Sequence, residues 1–196
     1  MDHADHVRLL RKGVVDAAKG TRYSDLIGSS DVIGLWADLG AGAGAFTLAL
    51  AELRPAGSTI HAVDKDKSAL AENERAYARF ARGRDLPALQ THAADFTTEL
   101  SLPPLDGIVM ANSLHFVKDK KPVLARVGRL LKAGAPFILV EYDADSGNPW
   151  VPYPLSFETW KRVAVANEFV EPRLLDAEPS RFLRRMYSAV TTPTAR

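Results

Sequence analysis

Two short runs, GIVMA at 107–111 and FILVE at 137–141, carry apolar residues with none of the polar alternation that a half-exposed strand shows. A strand of that kind must be covered on both faces, which points to a parallel sheet between two layers of helices. The rest of the chain supplies the layers, because apolar runs alternate with helical patterns. Strands are expected at 35–39, 59–63, 89–93, 107–111 and 136–142, and helices at 45–54, 67–80 and 121–132. The fold class is therefore α/β, a single-domain Rossmann-like doubly wound sheet. Before it, Val7, Leu10, Val14, Val15 and Ala18 recur at helical spacing, and an irregular stretch follows from Gly20 to Asp31. After Asp143 the rhythm changes to a proline and aromatic segment, a helix at 157–168, and closing strands at 173–177 and 182–190.

A chain of 196 residues with 46% hydrophobic and 25% charged residues suits one domain, 1–196, with a proper core. Within it, 1–31 reads as an N-terminal helix and lid segment, and 143–172 as an insertion on the acceptor side. The 25 Lys and Arg nearly balance the 24 Asp and Glu, so no long-range field favours a nucleic-acid partner. The absence of cysteine removes disulfides, thiolate metal sites and cysteine nucleophiles, and it fits a reducing cytoplasm. Asp2 and Asp5 stand where a secretory signal carries positive charge, and no apolar run approaches the roughly 20 residues of a membrane span. The expectation is a cytoplasmic protein without a membrane partner; the sequence leaves its oligomeric state open.

Gly40, Gly42 and Gly44 alternate in WADLGAGAGAFTLALAE, between the first strand and its helix. Such a turn lets a ligand touch bare backbone at the carboxyl end of the sheet. Gly40, Gly42 and Ala45 also fit the dinucleotide pattern G-x-G-x-x-G/A, so a nicotinamide or flavin cofactor, and with it an NAD-dependent oxidoreductase, must be weighed. Asp64 closes the second strand, where a carboxylate can accept hydrogen bonds from ribose hydroxyls in either case. Asp38, two residues before the first glycine, separates the readings. A carboxylate there repels a pyrophosphate and attracts a cation.

At these residues the chain resembles the class I S-adenosylmethionine-dependent methyltransferases, of the small-molecule type 11/25 kind, over roughly 31–190. ADLGAGAG is similar to the family's first motif, AVDKD to its second, AADF to its third and LDGIVMANSLHF to its fourth, followed by a strand ending in EYD. The resemblance implies seven strands, mostly parallel with an antiparallel strand near the C-terminus, and S-adenosylmethionine converted to S-adenosylhomocysteine. It places Gly40, Gly42 and Gly44 against the cofactor, Asp64 on the ribose and Asp95 on the adenine amino group. Phe96 and Lys65 fall near the adenine faces, and Asp38 near the ammonium end. As residues without a ligand, Asp38 and Asp95 are alternatively caps.

The same resemblance puts the reacting methyl near Asn112 and His115. His115 is the candidate proton acceptor or acceptor-orienting group, because imidazole titrates nearest neutral pH; the alternative is a histidine bonded to a neighbouring loop. Asn112 can hold the methionine end or the acceptor. His3, His6, His61 and His92 have no assigned chemistry. Asp143, Asp145 and Asn148 could suggest magnesium, yet no matching acid follows the fourth strand, and no metal is expected. Arg75, Arg79 and Arg82, and likewise Arg181, Arg184 and Arg185, form groups that suit either phosphate contacts or a solvated surface. Trp150, Tyr153, Phe157 and Trp160 suit an acceptor pocket or core packing equally. The sequence thus points to a methyltransferase acting on a small molecule, apolar or aromatic if the segment is a pocket. Rival readings are an RNA or protein methyltransferase and a non-catalytic cofactor-binding scaffold.

Overall fold

The computed structural model describes residues 1–19, 33–180 and 182–194, the side chains of 12–19 excepted. The stretch 20–31 and Arg181 lie outside the described residues. Seven strands, β1 (Leu35–Leu39), β2 (Thr59–Asp64), β3 (Ala88–Ala93), β4 (Gly107–Ala111), β5 (Phe137–Tyr142), β6 (Arg173–Pro179) and β7 (Arg185–Thr191), form one sheet. Their order is β3-β2-β1-β4-β5-β7-β6. All pairings are parallel except those of β7, which runs antiparallel to both β5 and β6. The expected doubly wound sheet with its antiparallel C-terminal strand is present.

Every residue of β4 and β5 is buried, which is why neither run alternates. One face carries α1 (His3–Lys19), α2 (Ala45–Leu53) and α3 (Lys67–Phe80), whose Leu10, Phe46, Leu50 and Tyr77 pack with Trp36, Ile60 and Ile138. The other carries α4 (Lys121–Leu130) and α5 (Phe157–Ala166), where Leu124, Val127 and Trp160 pack with Leu39, Met110 and Phe137. The α1 helix is tied down at its outer edge by ion pairs from Arg8 to Glu178 and Asp176 of β6. In α3, Asp66 caps the amides of Ser68 and Ala69, and in α5 Ser156 caps Thr159.

The differences from the sequence reading lie at element ends. The helices expected to reach residues 54, 132 and 168 stop at Leu53, Leu130 and Ala166. Arg54 turns extended with its guanidinium 5.0 Å from the centre of the Trp36 ring, and Leu131 turns extended to bridge Leu105. Glu168 takes a φ of 66°. The last strand begins at Arg185 rather than Phe182, because Arg184 takes a φ of 45°. Arg75 and Arg79 are exposed on α3, and Arg82, expected on the same helix, is exposed in the turn that follows it.

Parallel register sets Trp36 beside Gly107, and the indole fills the space a side chain would need: a Cβ on Gly107 would lie 2.4 Å from the ring. Gly107→Ala is therefore expected to lower stability by about 1–3 kcal/mol, the usual cost of overfilling a packed core. Chemical denaturation checks it.

Candidate functional site

The glycine turn, Asp64, Asp95, Asn112 and His115 all come from the carboxyl ends of parallel strands or the loops that follow, on one edge of the sheet. The turn is held by its neighbours. Val63 O accepts from Gly40 N and Ala41 N, at 2.8 and 3.0 Å, and Asp64 Oδ2 accepts from Gly42 N at 2.8 Å. Each glycine meets a different constraint. A Cβ on Gly40 would lie 2.4 Å from Ser113 Cβ and 3.3 Å from Phe96, and one on Gly44 would lie 2.2 Å from Asn73 Oδ1. Gly42, with a φ of 52°, has nothing within 4 Å of that position. Gly42 is the open point of the turn, where a ligand can lie against backbone.

Around this opening stand the carboxylates. Asp64 Oδ1 accepts from Asp66 N, so both oxygens brace the loop while each keeps a lone pair for a ligand. Asp95 takes the Thr97 amide and hydroxyl on Oδ1 alone, which leaves Oδ2 without a partner among the described residues. These bonds from Thr97, with the charge of Lys65, hold Asp95 below the usual carboxylate range. No helix follows Asp95, so in place of the expected N-cap it braces a turn, and with one oxygen only. Lys65 is exposed beside it, and Phe96 is half-buried beside the turn.

Asp38 is 1% exposed, and its Oδ2 accepts from the Thr47 hydroxyl at 2.7 Å. Burial raises its pKa to about 6, opposed by Thr47 and aided by the charge of Asp64. It caps no helix: Gly44 stands at the N-cap of α2. Asn112 follows β4 with a φ of 53°, and its Oδ1 is buried without a partner among the described residues. A non-glycine residue in that conformation and an unsatisfied buried acceptor each cost free energy, a combination that gathers at ligand sites.

His115 lies in a single 3₁₀ turn, Leu114–Phe116, that the sequence reading did not include. It is buried against Glu141, which is 0% exposed in β5. The ring Nδ1 sits 2.9 Å from Glu141 Oε2 and 3.2 Å from Oε1. Glu141 also accepts from the amides of His115 and Tyr142, at 3.0 and 3.2 Å. A carboxylate with four such contacts favours the tautomer in which Nδ1–H donates, leaving the lone pair on Nε2, which has no hydrogen-bond partner among the described residues. The loop alternative holds in part, since Tyr153 N donates to His115 O at 3.0 Å, but the imidazole itself is engaged by Glu141.

The aromatic segment divides. Trp160 is core, edge-on to Phe137 at 5.8 Å, and Phe157 packs on Tyr187 at 5.6 Å. Trp150 and Tyr153 are exposed, as is Phe116, whose ring lies 4.3 Å from that of His115. Asp143 accepts from Phe157 N and Arg185, Asp145 from the Ser156 amide and hydroxyl, and Asn148 from the Trp150 and Val151 amides. All three serve the loop, and no group of three or more His, Asp or Glu among the described residues could hold a metal. His61 and His92 pair across β2 and β3 at 3.0 Å, His3 pairs with Glu52, and His6 lies on the Phe46 ring. No described helix is long and apolar enough to cross a membrane.

The profile of the methyltransferase domain matches residues 37–137, just over half of the chain and the part that holds the glycine turn, Asp64, Asp95 and His115. The chain belongs to the methyltransferase-domain family. Solved structures share the fold of this methyltransferase. The YcgJ protein of Bacillus subtilis aligns at 15% identity over 85% of this chain and 94% of its own, with a TM-score of 0.65. The CurJ carbon methyltransferase aligns at 19% over 96% of this chain with a TM-score of 0.73, and the chain spans about half, 54%, of that protein. The magnesium protoporphyrin IX methyltransferase of Synechocystis PCC 6803, solved with bound SAM, aligns at 14% over 95% of this chain and 80% of its own, with a TM-score of 0.62. No curated protein sequence matches the methyltransferase.

Two residues that matter here carried no motif. Thr47 and Asn73 are buried polar residues inside amphipathic helices, and helical periodicity does not mark them. Glu141 did carry a signal, as the one charge in an apolar strand. Two stability tests follow. Gly42→Ala should cost about 1–2 kcal/mol for its left-handed backbone alone, and Gly44→Ala clearly more because it also meets Asn73. Because the folded state raises the Asp38 pKa from 3.8 to about 6, the stability this gives is full below pH 3.8 and lost as pH rises through about 6. Against Asp38→Asn, the wild type should lose on the order of 3 kcal/mol across that window, as read by urea unfolding at each pH.

Proposed function

We propose that the protein transfers a methyl group from S-adenosylmethionine to a small-molecule acceptor whose reacting atom must first lose a proton. The observation that carries the reading is the buried His115–Glu141 pair, 2.9 Å apart, at the edge of the sheet that also presents the open glycine turn. The residues present fit the donor. Gly42 offers bare backbone, Asp64 the ribose-facing carboxylate, and Asp95 Oδ2 an acceptor for an adenine amino group, with Phe96 and Lys65 beside the base. Asp38 suits the ammonium, and the unpartnered Asn112 Oδ1 accepts from the methionine end. When bound, S-adenosylmethionine supplies a methyl group on a positively charged sulfur and is left as S-adenosylhomocysteine.

His115 Nε2 takes the proton from the acceptor as the acceptor's electron pair is committed to the new bond, and Glu141 stabilises the imidazolium that results. An acceptor that is already a free nucleophile needs no such pair. The class favoured is therefore a weakly acidic O–H or C–H compound. Phe116, Trp150 and Tyr153 give its apolar or aromatic part a surface beside His115, so 143–172 contributes the acceptor side of the site. A net charge of only +1, with arginines paired or solvated among the described residues, gives RNA no evident track.

Labelled-methyl transfer over phenols, enolisable carbonyl compounds and amines, with RNA and protein as controls, tests the reading. Transfer to the acidic acceptors is expected, and His115→Ala should lower the rate by about 10²–10⁴-fold while S-adenosylhomocysteine still raises the melting temperature. Labelling of RNA or protein alone, or cofactor binding without transfer to any class, contradicts it. Stabilisation by NAD instead of S-adenosylhomocysteine would overturn the donor as well.

A further inference from the structure

Asp38 is wired to the interior through two uncharged side chains. Thr47 of α2 and Asn73 of α3 are both 0% exposed. Asn73 Nδ2 donates to Thr47 Oγ1 at 3.0 Å, and the Thr47 hydroxyl donates to Asp38 Oδ2 at 2.7 Å. A helical threonine has another use for its hydroxyl, the carbonyl one turn back. The donation from Asn73 occupies a lone pair of Oγ1 and turns the hydroxyl proton toward Asp38, and bonds in series strengthen one another. Asn73 gains little else from being polar. Its Oδ1 is buried without a partner, closed against Gly44, and a half-satisfied buried amide is a net cost. An apolar side chain would serve packing better, so the donation to Thr47 is what the amide contributes.

The other groups around Asp38 work against its charge or leave it alone. Asp64 of β2 is the one charge of the described residues that acts on it, and it favours protonation, as does burial. Among the described residues α2 gives it Thr47, with Asn73 of α3 behind; its register neighbours are Ala62 of β2 and Val109 of β4, and α1 directs His6 onto the Phe46 ring. Asp38 Oδ1 accepts no hydrogen bond from the described residues and is the atom left for a ligand.

We propose that Thr47 and Asn73 are positioning residues that hold Asp38 ionised and aimed, so that the ammonium group of the cofactor finds a carboxylate rather than a carboxylic acid. The inference rests on the cofactor reading above, with Asp38 at the ammonium end. A proton and the cofactor then compete for Asp38, and the two uncharged residues decide the pH at which the proton wins.

Calorimetric titration with S-adenosylhomocysteine from about pH 5 to about pH 8 tests it. Wild-type affinity should be level at the upper end and fall about tenfold per pH unit once Asp38 is mostly protonated. Thr47→Val keeps the shape and removes the hydroxyl; its midpoint should move upward by about one to two pH units, the worth of a hydrogen bond to a charge, so that affinity near pH 6.5 falls roughly 4- to 40-fold and recovers toward wild type near pH 8. Asn73→Ala should shift the profile the same way by less, and Thr47→Ser should restore it. Unmoved midpoints, or a loss by the same factor at every pH, would overturn the relay and leave a packing role. If Thr47→Val does not fold, Asn73→Ala against Thr47→Ser decides by the same criterion. Failure of the wild type to bind at any pH is a different outcome, which overturns the cofactor reading itself.

Discussion

A carboxylate taken out of water must be given partners, and this fold does so at the ends of two central strands. Asp38 stands one residue before the end of β1 and Glu141 one residue before the end of β5, both among buried neighbours, and the pair are 1% and 0% exposed. Glu141 is satisfied by two amides and an imidazole. Asp38 has one hydroxyl and an oxygen to spare. That asymmetry separates the two: the fully bonded acid fixes a histidine, and the half-bonded acid is the one on which the proposed role for a cationic ligand rests. Burial is costly in both places, and it makes any charge brought to them count for more than it would in water.

The sheet supplies the geometry for this arrangement. Parallel strands put all their carboxyl ends on one edge, and the crossovers leave that edge open where β1 and β4 part to opposite faces. The glycine turn follows β1 there, and the 3₁₀ turn with His115 follows β4. Ser113 joins them, with its hydroxyl 2.8 Å from Leu39 O and its Cβ in the space that a side chain on Gly40 would need. Lys120 ties the same region to the aromatic segment, donating to Val117 O and Tyr153 O at 2.8 and 3.1 Å. The glycine turn, the 3₁₀ turn of His115 and the aromatic segment are thus one bonded unit.

The layered fold was legible because GIVMA and FILVE can only be strands covered on both faces, and the glycine turn because alternate glycines between strand and helix have few other uses. Asp64 and Asp95 were legible from their places at strand ends. The helix ends were not, since Arg54 and Leu131 leave the helix for tertiary partners that periodicity cannot see. Nor was the Asp38–Thr47–Asn73 chain, which joins residues 35 positions apart through two helices. The aromatic segment was ambiguous for a physical reason: Trp160 and Trp150 have the same chemistry, and only packing makes one core and leaves the other 73% exposed.

The most direct measurement is the crystal structure of the complex with S-adenosylhomocysteine. The account predicts the ammonium group on Asp38 Oδ1, the ribose on Asp64, the adenine between Asp95 and Phe96, and the sulfur turned toward the side on which His115 Nε2 lies. A ligand whose sulfur faces away from His115, or whose amino acid end avoids Asp38, would contradict it.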